Sequence, residues 1–266
     1  MEFRYRMGGI IAAVILAAVG GAAQTGERPS DKEVKAIIDE VDTGRDKFEG
    51  NLDGGFKGST LRGPKGETKV SGALQDYQDS TQKLQQRFTS DYSASAEVGT
   101  VLKQSMQIDA FMKSPSSPTQ GRNEWARQTA ILKRLAEAYN TTLPLPDGSA
   151  VRRMNDKEAA DAAGAVAAQA EQVKRAADAD KTLAKPDKQA LKTEVDAVIK
   201  QAKTLQSGLK DGKPATGDWR TLKEKVAALT AGGRQVPPTV LTAIGALRAP
   251  LAKLDQAFGV APATTS

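Results

Sequence analysis

Apolar residues recur in steps of three and four along most of this chain, and Gly or Pro interrupts the pattern at intervals. That periodicity belongs to helices with one buried face, and it excludes an extended sheet protein. Val70, Leu74, Tyr77, Thr81, Leu84 and Phe88 fall in steps of four and three. They predict a helix of about 24 residues whose narrow apolar stripe suits antiparallel partners. Ahead of it, Ser30-Asp31-Lys32-Glu33 reads as a capping box, and Val34, Ile37, Ile38 and Val41 then share one helix face to about Glu49. Between the two lies the stretch 51–68, with Gly at 54, 55, 58, 63 and 66 and Pro64. This density of Gly permits no helix, and a phosphate-cradling loop would need a preceding strand and a fingerprint spacing that are absent. The stretch is expected to be a long flexible connection.

Ser93 to Glu97 restarts the chain into a helix carrying Val98, Val101, Leu102, Ser105, Ile108 and Met112, ended by Pro115 and Pro118. Ser117-Pro118-Thr119-Gln120 looks like the next helix start, with Ser117 as N-cap. The helix it opens carries Trp125, Leu132, Leu135 and Tyr139, and stops at Asn140 before Pro144 and Pro146. Asn155-Asp156-Lys157-Glu158 is a second capping box, followed by an Ala-rich helix in which 11 of the 21 residues from Ala159 to Ala179 are Ala. Ala has the best intrinsic helix propensity, so this helix forms with little packing and lets a neighbour approach closely. Pro186 starts the next helix, with Leu191, Val195, Val198, Ile199, Leu205 and Leu209 on one face. A helix with Trp219 and a last helix from Pro237-Pro238 to Phe258 complete the pattern. Pro250 inside the last one is expected to kink or split it, because it lacks an amide donor and crowds the preceding turn.

Two Trp residues occur in the chain. Val101-Leu102-Lys103-Gln104 matches Val198-Ile199-Lys200-Gln201, and Glu124-Trp125, Leu132, Leu135 and Leu143-Pro144 align with Asp218-Trp219, Val226, Leu229 and Pro237-Pro238. The alignment implies an internal repeat in which Trp125 and Trp219 are equivalent anchors, each buried against Leu and Val of the preceding helix. The expectation is therefore an all-α protein of about eight mostly antiparallel helices in two related helical-bundle units. The first spans 27–146 with the Gly-rich loop 50–68, the second spans 150–259, and a disordered tail follows at 260–266.

Arg4 and Arg6 precede an uncharged run of 16 residues, 8–23, rich in Ile, Val, Leu, Ala and Gly and ending in small side chains at Gly21 and Ala23. This is the pattern of a signal peptide, residues 1–23, with Gln24 as the mature N-terminus. The run is short against the ~20 apolar residues of a spanning helix. The alternative is an uncleaved anchor in the inner membrane. The expected location is periplasmic or secreted, with no stable span after cleavage. Cys is absent, so core packing alone holds the exported chain together. Removal of residues 1–23 leaves 36 basic against 31 acidic residues, and the surplus is uneven: net −1 over 24–147 and net +6 from Gly148 onward. A modestly basic half suits either an ordinary solvated helix surface or an anionic envelope surface.

His is absent as well. Together the two absences remove His-based triads, thiol nucleophiles, the common zinc and iron sites and His-ligated haem. Asp178-Ala179-Asp180 lacks the remaining ligands of an EF-hand loop. Ser71, Ser105 and Ser207 sit in helical or linker context without a strained nucleophile elbow. No recognition motif or strong charge points to nucleic acid. No catalytic, cofactor-binding or metal-binding residue is expected, no cofactor is implied, and the protein is expected not to be an enzyme.

Phe48-x-x-x-Leu52-Asp53, Ile108-Asp109-x-Phe111-Met112, Trp125 and Leu135-Ala136-x-x-Tyr139-Asn140 together resemble a group of small exported helical bacterial proteins with no assigned activity. The likeness covers about residues 40–140 and implies an exported all-α fold whose motif residues are core positions. The function expected is that of an exported, non-enzymatic envelope protein, a scaffold or interaction module whose partner is an envelope protein or an anionic envelope surface. The alternative is a periplasmic carrier holding an apolar ligand between helices, beside the Ala-rich one.

Overall fold

The computed structural model describes residues 26–63, 66–115, 117–231 and 236–259. The expected signal segment 1–23, the Gly pair 232–233 and the expected tail 260–266 lie outside the described residues. The protein is all-α. No described helix is long and apolar enough to cross a membrane.

Helix α1 (Asp31–Gly50) opens on the expected capping box: Ser30 Oγ accepts the Glu33 amide, and the Glu33 carboxylate takes the Ser30 amide at 2.8 Å. The described residues of the Gly-rich stretch that follows carry short regular elements where a long flexible connection was expected. Asp53 Oδ1 accepts the Phe56 amide at 2.7 Å and caps a single helical turn, α2 (Gly54–Lys57), which buries Phe56 beside Leu52. Strands β1 (Thr60–Gly63) and β2 (Gly66–Lys69) then pair antiparallel with Thr60 opposite Lys69. Gly density excludes a long helix but permits one capped turn and a tight hairpin. The Val70 amide extends the ladder to Ser59 O at 3.0 Å, so the chain passes directly into α3 (Val70–Arg87).

α3 has 18 residues, shorter than its apolar pattern suggested. Its stripe ends in Phe88, which is extended (φ −69°, ψ 118°) and buries its ring outside the helix. α4 (Ser95–Met112) and α5 (Thr119–Ala138) follow. Ser117 does not cap α5. Its hydroxyl donates to Met112 O at 2.7 Å, satisfying a carbonyl at the end of α4, and Pro118 takes the N-cap position. α1 packs on α3 and α5, α3 on α4, and α4 on α5, closing a ring of four helices around one apolar cluster that runs from Val34 to Leu145.

A second cluster runs from Ala159 to Ala257. α6 (Asp156–Ala179) starts on the second expected capping box, Asn155 with Glu158. α7 (Lys185–Lys210) lies along it, and α8 (Thr216–Ala228) packs on α7. α9 (Pro238–Gly245) and α10 (Arg248–Ala257) pack on α6. The break between these two is the one Pro250 was expected to make. As the third residue of α10 it cannot donate to Ala246 O, and the helix restarts at Arg248. The Ala face of α6 (Ala159, Ala163, Ala170, Ala177) is fully buried in the same cluster as the larger Leu191, Val195 and Leu205 of α7. Gly164 allows the Gln206 amide to lie close: a Cβ there would meet Nε2 at 2.5 Å. The small side chains are thus used for close helix contact. Outside that buried contact, Gly164, Ala165 and Ala168 of α6 and Lys203 and Gln206 of α7 line an open surface groove. Ala170→Leu is expected to overpack this contact and destabilise the fold by about 1–3 kcal/mol, read as a lower urea midpoint at unchanged slope.

Candidate functional site

The lead-in to each capping box crosses to the other cluster. Arg28 Nη1 pairs with Asp156 Oδ1 at 2.5 Å, Nη2 donates to Met154 O at 2.8 Å, and Nε to Ala257 O at 3.1 Å. Arg153 does the reverse: Nη2 pairs with Asp31 Oδ1 at 2.8 Å and donates to Pro29 O at 2.7 Å, and Nη1 reaches Ala138 O at 3.3 Å. Asp31 and Asp156 also exchange backbone bonds, each Oδ2 accepting the other's amide at 2.7 Å. Each carboxylate therefore sits at the N-terminal turn of the opposite helix, and each guanidinium at the C-terminal carbonyls of α10 or α5, where the helix partial charges favour them. Burial, then the neighbouring Arg153, lowers the Arg28 pKa from its ordinary value, and Asp156 and Asp31 act against them.

The same crossing reaches the third helix of each cluster. Glu27 Oε1 accepts the Ala215 and Thr216 amides at the start of α8, and Ser95 Oγ at the start of α4 accepts the Arg153 amide. Ser93 Oγ, expected to help restart α4, donates instead to Arg153 O at 2.8 Å. These contacts match α8 to α4, with Trp219 and Val98 each the fourth residue of its helix. The expected equivalence of Trp125 and Trp219 is therefore out of step by one helix. Both indoles are buried, as expected, but their neighbours are aromatic as well as aliphatic. Trp219 stacks on Phe258 at 5.7 Å with Lys223 over its ring, and its N–H has no hydrogen-bond partner. Trp125 lies against Phe48 at 4.9 Å and edge-on to Tyr77 at 6.1 Å, and its N–H donates to Asp109 Oδ1 at 3.1 Å.

Trp125 also lines a cleft of about 470 Å³ between α4 and α5, with Met106 and Ala110 on one side and Leu143 and Pro144 among its other walls. Asp109 Oδ2 holds Lys113 at 2.6 Å, and the cleft is further lined by Lys133. Of the residues behind the family resemblance, Phe48, Leu52, Ile108, Phe111, Met112, Leu135, Ala136 and Tyr139 are buried apolar positions. Asp109 is different: it orients the indole. It stands one turn before Lys113 and 16 residues before Trp125, a spacing with no local signature.

Beneath the same aromatic group lies a buried polar cluster. Gln128 Nε2 donates to Val41 O at 2.9 Å and to the Tyr77 hydroxyl at 2.8 Å. Arg45, 2% exposed, pairs with Asp42 and Asp46 while its Nε and Nη1 have no partner. Burial raises the pKa of Glu49 above the ordinary carboxyl value, and Arg45 only partly offsets it. Among the described residues, no three or more acidic side chains gather to hold a metal ion. No family model, curated protein or solved structure matches this chain.

Two outcomes follow. Arg153→Ala leaves Asp31, Pro29 O and Ala138 O without their partner and is expected to cost about 3–5 kcal/mol, as for other broken buried pairs, measurable by chemical denaturation. Glu49 has a folded pKa above its unfolded value of 4.5, so it binds protons more readily when folded and lowers stability as pH rises through that window. Glu49→Gln should therefore be more stable than the parent at pH 7, with the difference vanishing below pH ~4. Melting curves at both pH values check the sign.

Proposed function

We propose that this is an exported, non-enzymatic envelope protein, cleaved after Ala23 and acting in the periplasm or outside the cell as a scaffold or interaction module. The observation that carries this reading is the reciprocal Arg28–Asp156 and Arg153–Asp31 junction. It joins the two helix clusters by the same contacts used twice, and a fixed spacing between two surfaces is what a scaffold supplies. Of the described large apolar residues, only Tyr92 and Leu241 are exposed, so the partner is met by charged helix faces. The basic surplus after Gly148 suits an anionic envelope surface or an acidic face of another envelope protein.

A second reading, a carrier for a small ligand, is favoured by the Trp125 cleft. Beside the Ala-rich α6, the place first expected, the buried face packs on α7 and only an open surface groove is lined by both helices. Crosslinking in intact cells followed by mass spectrometry tests the scaffold. A recurrent envelope neighbour linked through surface lysines of α6–α8 is expected. Recovery as a free monomer alone would count decisively against it.

A further inference from the structure

The Trp125 cleft has two kinds of lining. Met106, Leu143 and the indole supply an apolar body, and Lys113 and Lys133 supply positive charge. The charges are not equally available. Asp109 takes both the Trp125 N–H and the Lys113 ammonium. Lys133 has no hydrogen bond or ion pair among the described residues. The cleft therefore offers one uncommitted cation beside an apolar surface. Its volume of about 470 Å³ lies within the roughly 300–1,000 Å³ of small-molecule sites. Exposed Ala110 stands at its edge and leaves it open.

We infer that this cleft binds a small amphipathic carboxylate, a single apolar chain or ring with one anionic group. The carboxylate pairs with Lys133, and the apolar part lies against Met106, Trp125 and Leu143. This rests on the carrier reading. A cationic ligand would meet Lys133 with no carboxylate free to receive it, because Asp109 is already engaged. A neutral ligand would gain the apolar contact alone. Asp109 contributes by fixing the indole plane and holding Lys113 aside, so it positions the site without contacting the ligand.

The test uses the full-length protein and its Trp219→Phe variant, which leaves Trp125 as the sole indole. Three probes of equal chain length, decanoate, decanol and decyltrimethylammonium, are titrated below their micelle concentrations. Trp125 emission is read in the variant and binding heat in the parent. Decanoate is expected to give a saturable change in both. Lys133→Gln should weaken its binding about two- to fivefold, the range of an exposed ion pair. Ala110→Phe should abolish saturation while leaving the helical circular dichroism unchanged. If decanol or the ammonium probe binds as tightly as decanoate, or if Lys133→Gln leaves affinity unchanged, the anion assignment is overturned and the carrier reading stands. If none of the three saturates by either measurement, both are overturned.

Discussion

Two arginine–aspartate pairs decide how the rest of the molecule is arranged, because each joins the start of one helix group to helix ends of the other. Arg28 and Arg153 are almost fully enclosed, and an unpaired guanidinium in that setting would be strongly unfavourable. Each is neutralised by an aspartate that serves a second purpose at the N-terminal turn of a helix, and each also donates to main-chain oxygens, among them Ala257 O or Ala138 O, with Arg153 Nε alone left unpartnered. Desolvation makes this geometry all-or-none: a half-made junction would leave a buried charge and several orphaned carbonyls. Such a contact specifies one relative placement of the two helix groups, which apolar packing alone would define less sharply.

Much of the fold was legible in the sequence. Both capping boxes, the helix periodicities and the break before Pro250 depend on residues within a turn or two of one another, and local spacing reports them. What escaped depends on contacts far apart in the chain. The hairpin at 60–69 was hidden by its Gly content, since Phe56 and the Asp53 cap signal order only once Phe56 is known to reach the core. Ser117 and Ser93 carry the side chain of an N-cap but are used for the α4 end and for Arg153 O.

The expected repeat divides in the same way. Two rare Trp residues drew the alignment to α5 and α8, although side-chain rarity says nothing about position in a bundle. A better signal was present in Arg28-Pro29-Ser30-Asp31-Lys32-Glu33 and Arg153-Met154-Asn155-Asp156-Lys157-Glu158. The last four residues of each read as a separate capping box. The arginine two residues before each box has no local role, so nothing in helix grammar singles it out. It acquires meaning only when the two segments face each other.

Counting from the capping boxes sets α1 beside α6 and shows where the two helix groups part. Val34, Ile38 and Phe48 in α1 stand where α6 has Ala159, Ala163 and Val173, and Arg45 stands where α6 has Ala170. Trimmed side chains bring α6 close to α7 and give a contact whose buried centre is apolar. The larger and polar side chains of α1 do the opposite: they leave Arg45 with two unpartnered nitrogens and Gln128 with an unpartnered oxygen in the interior. An apolar residue of similar volume at position 45 would be expected to hold the bundle at least as well, so packing alone does not account for Arg45. That polar cluster underlies Phe48, Tyr77 and Trp125, the aromatic group whose far side forms the cleft. Polar burial, aromatic packing and an uncommitted lysine thus coincide on the first helix group. The proposed ligand site therefore lies on the first helix group, and the junction fastens that group to the Ala-packed second one.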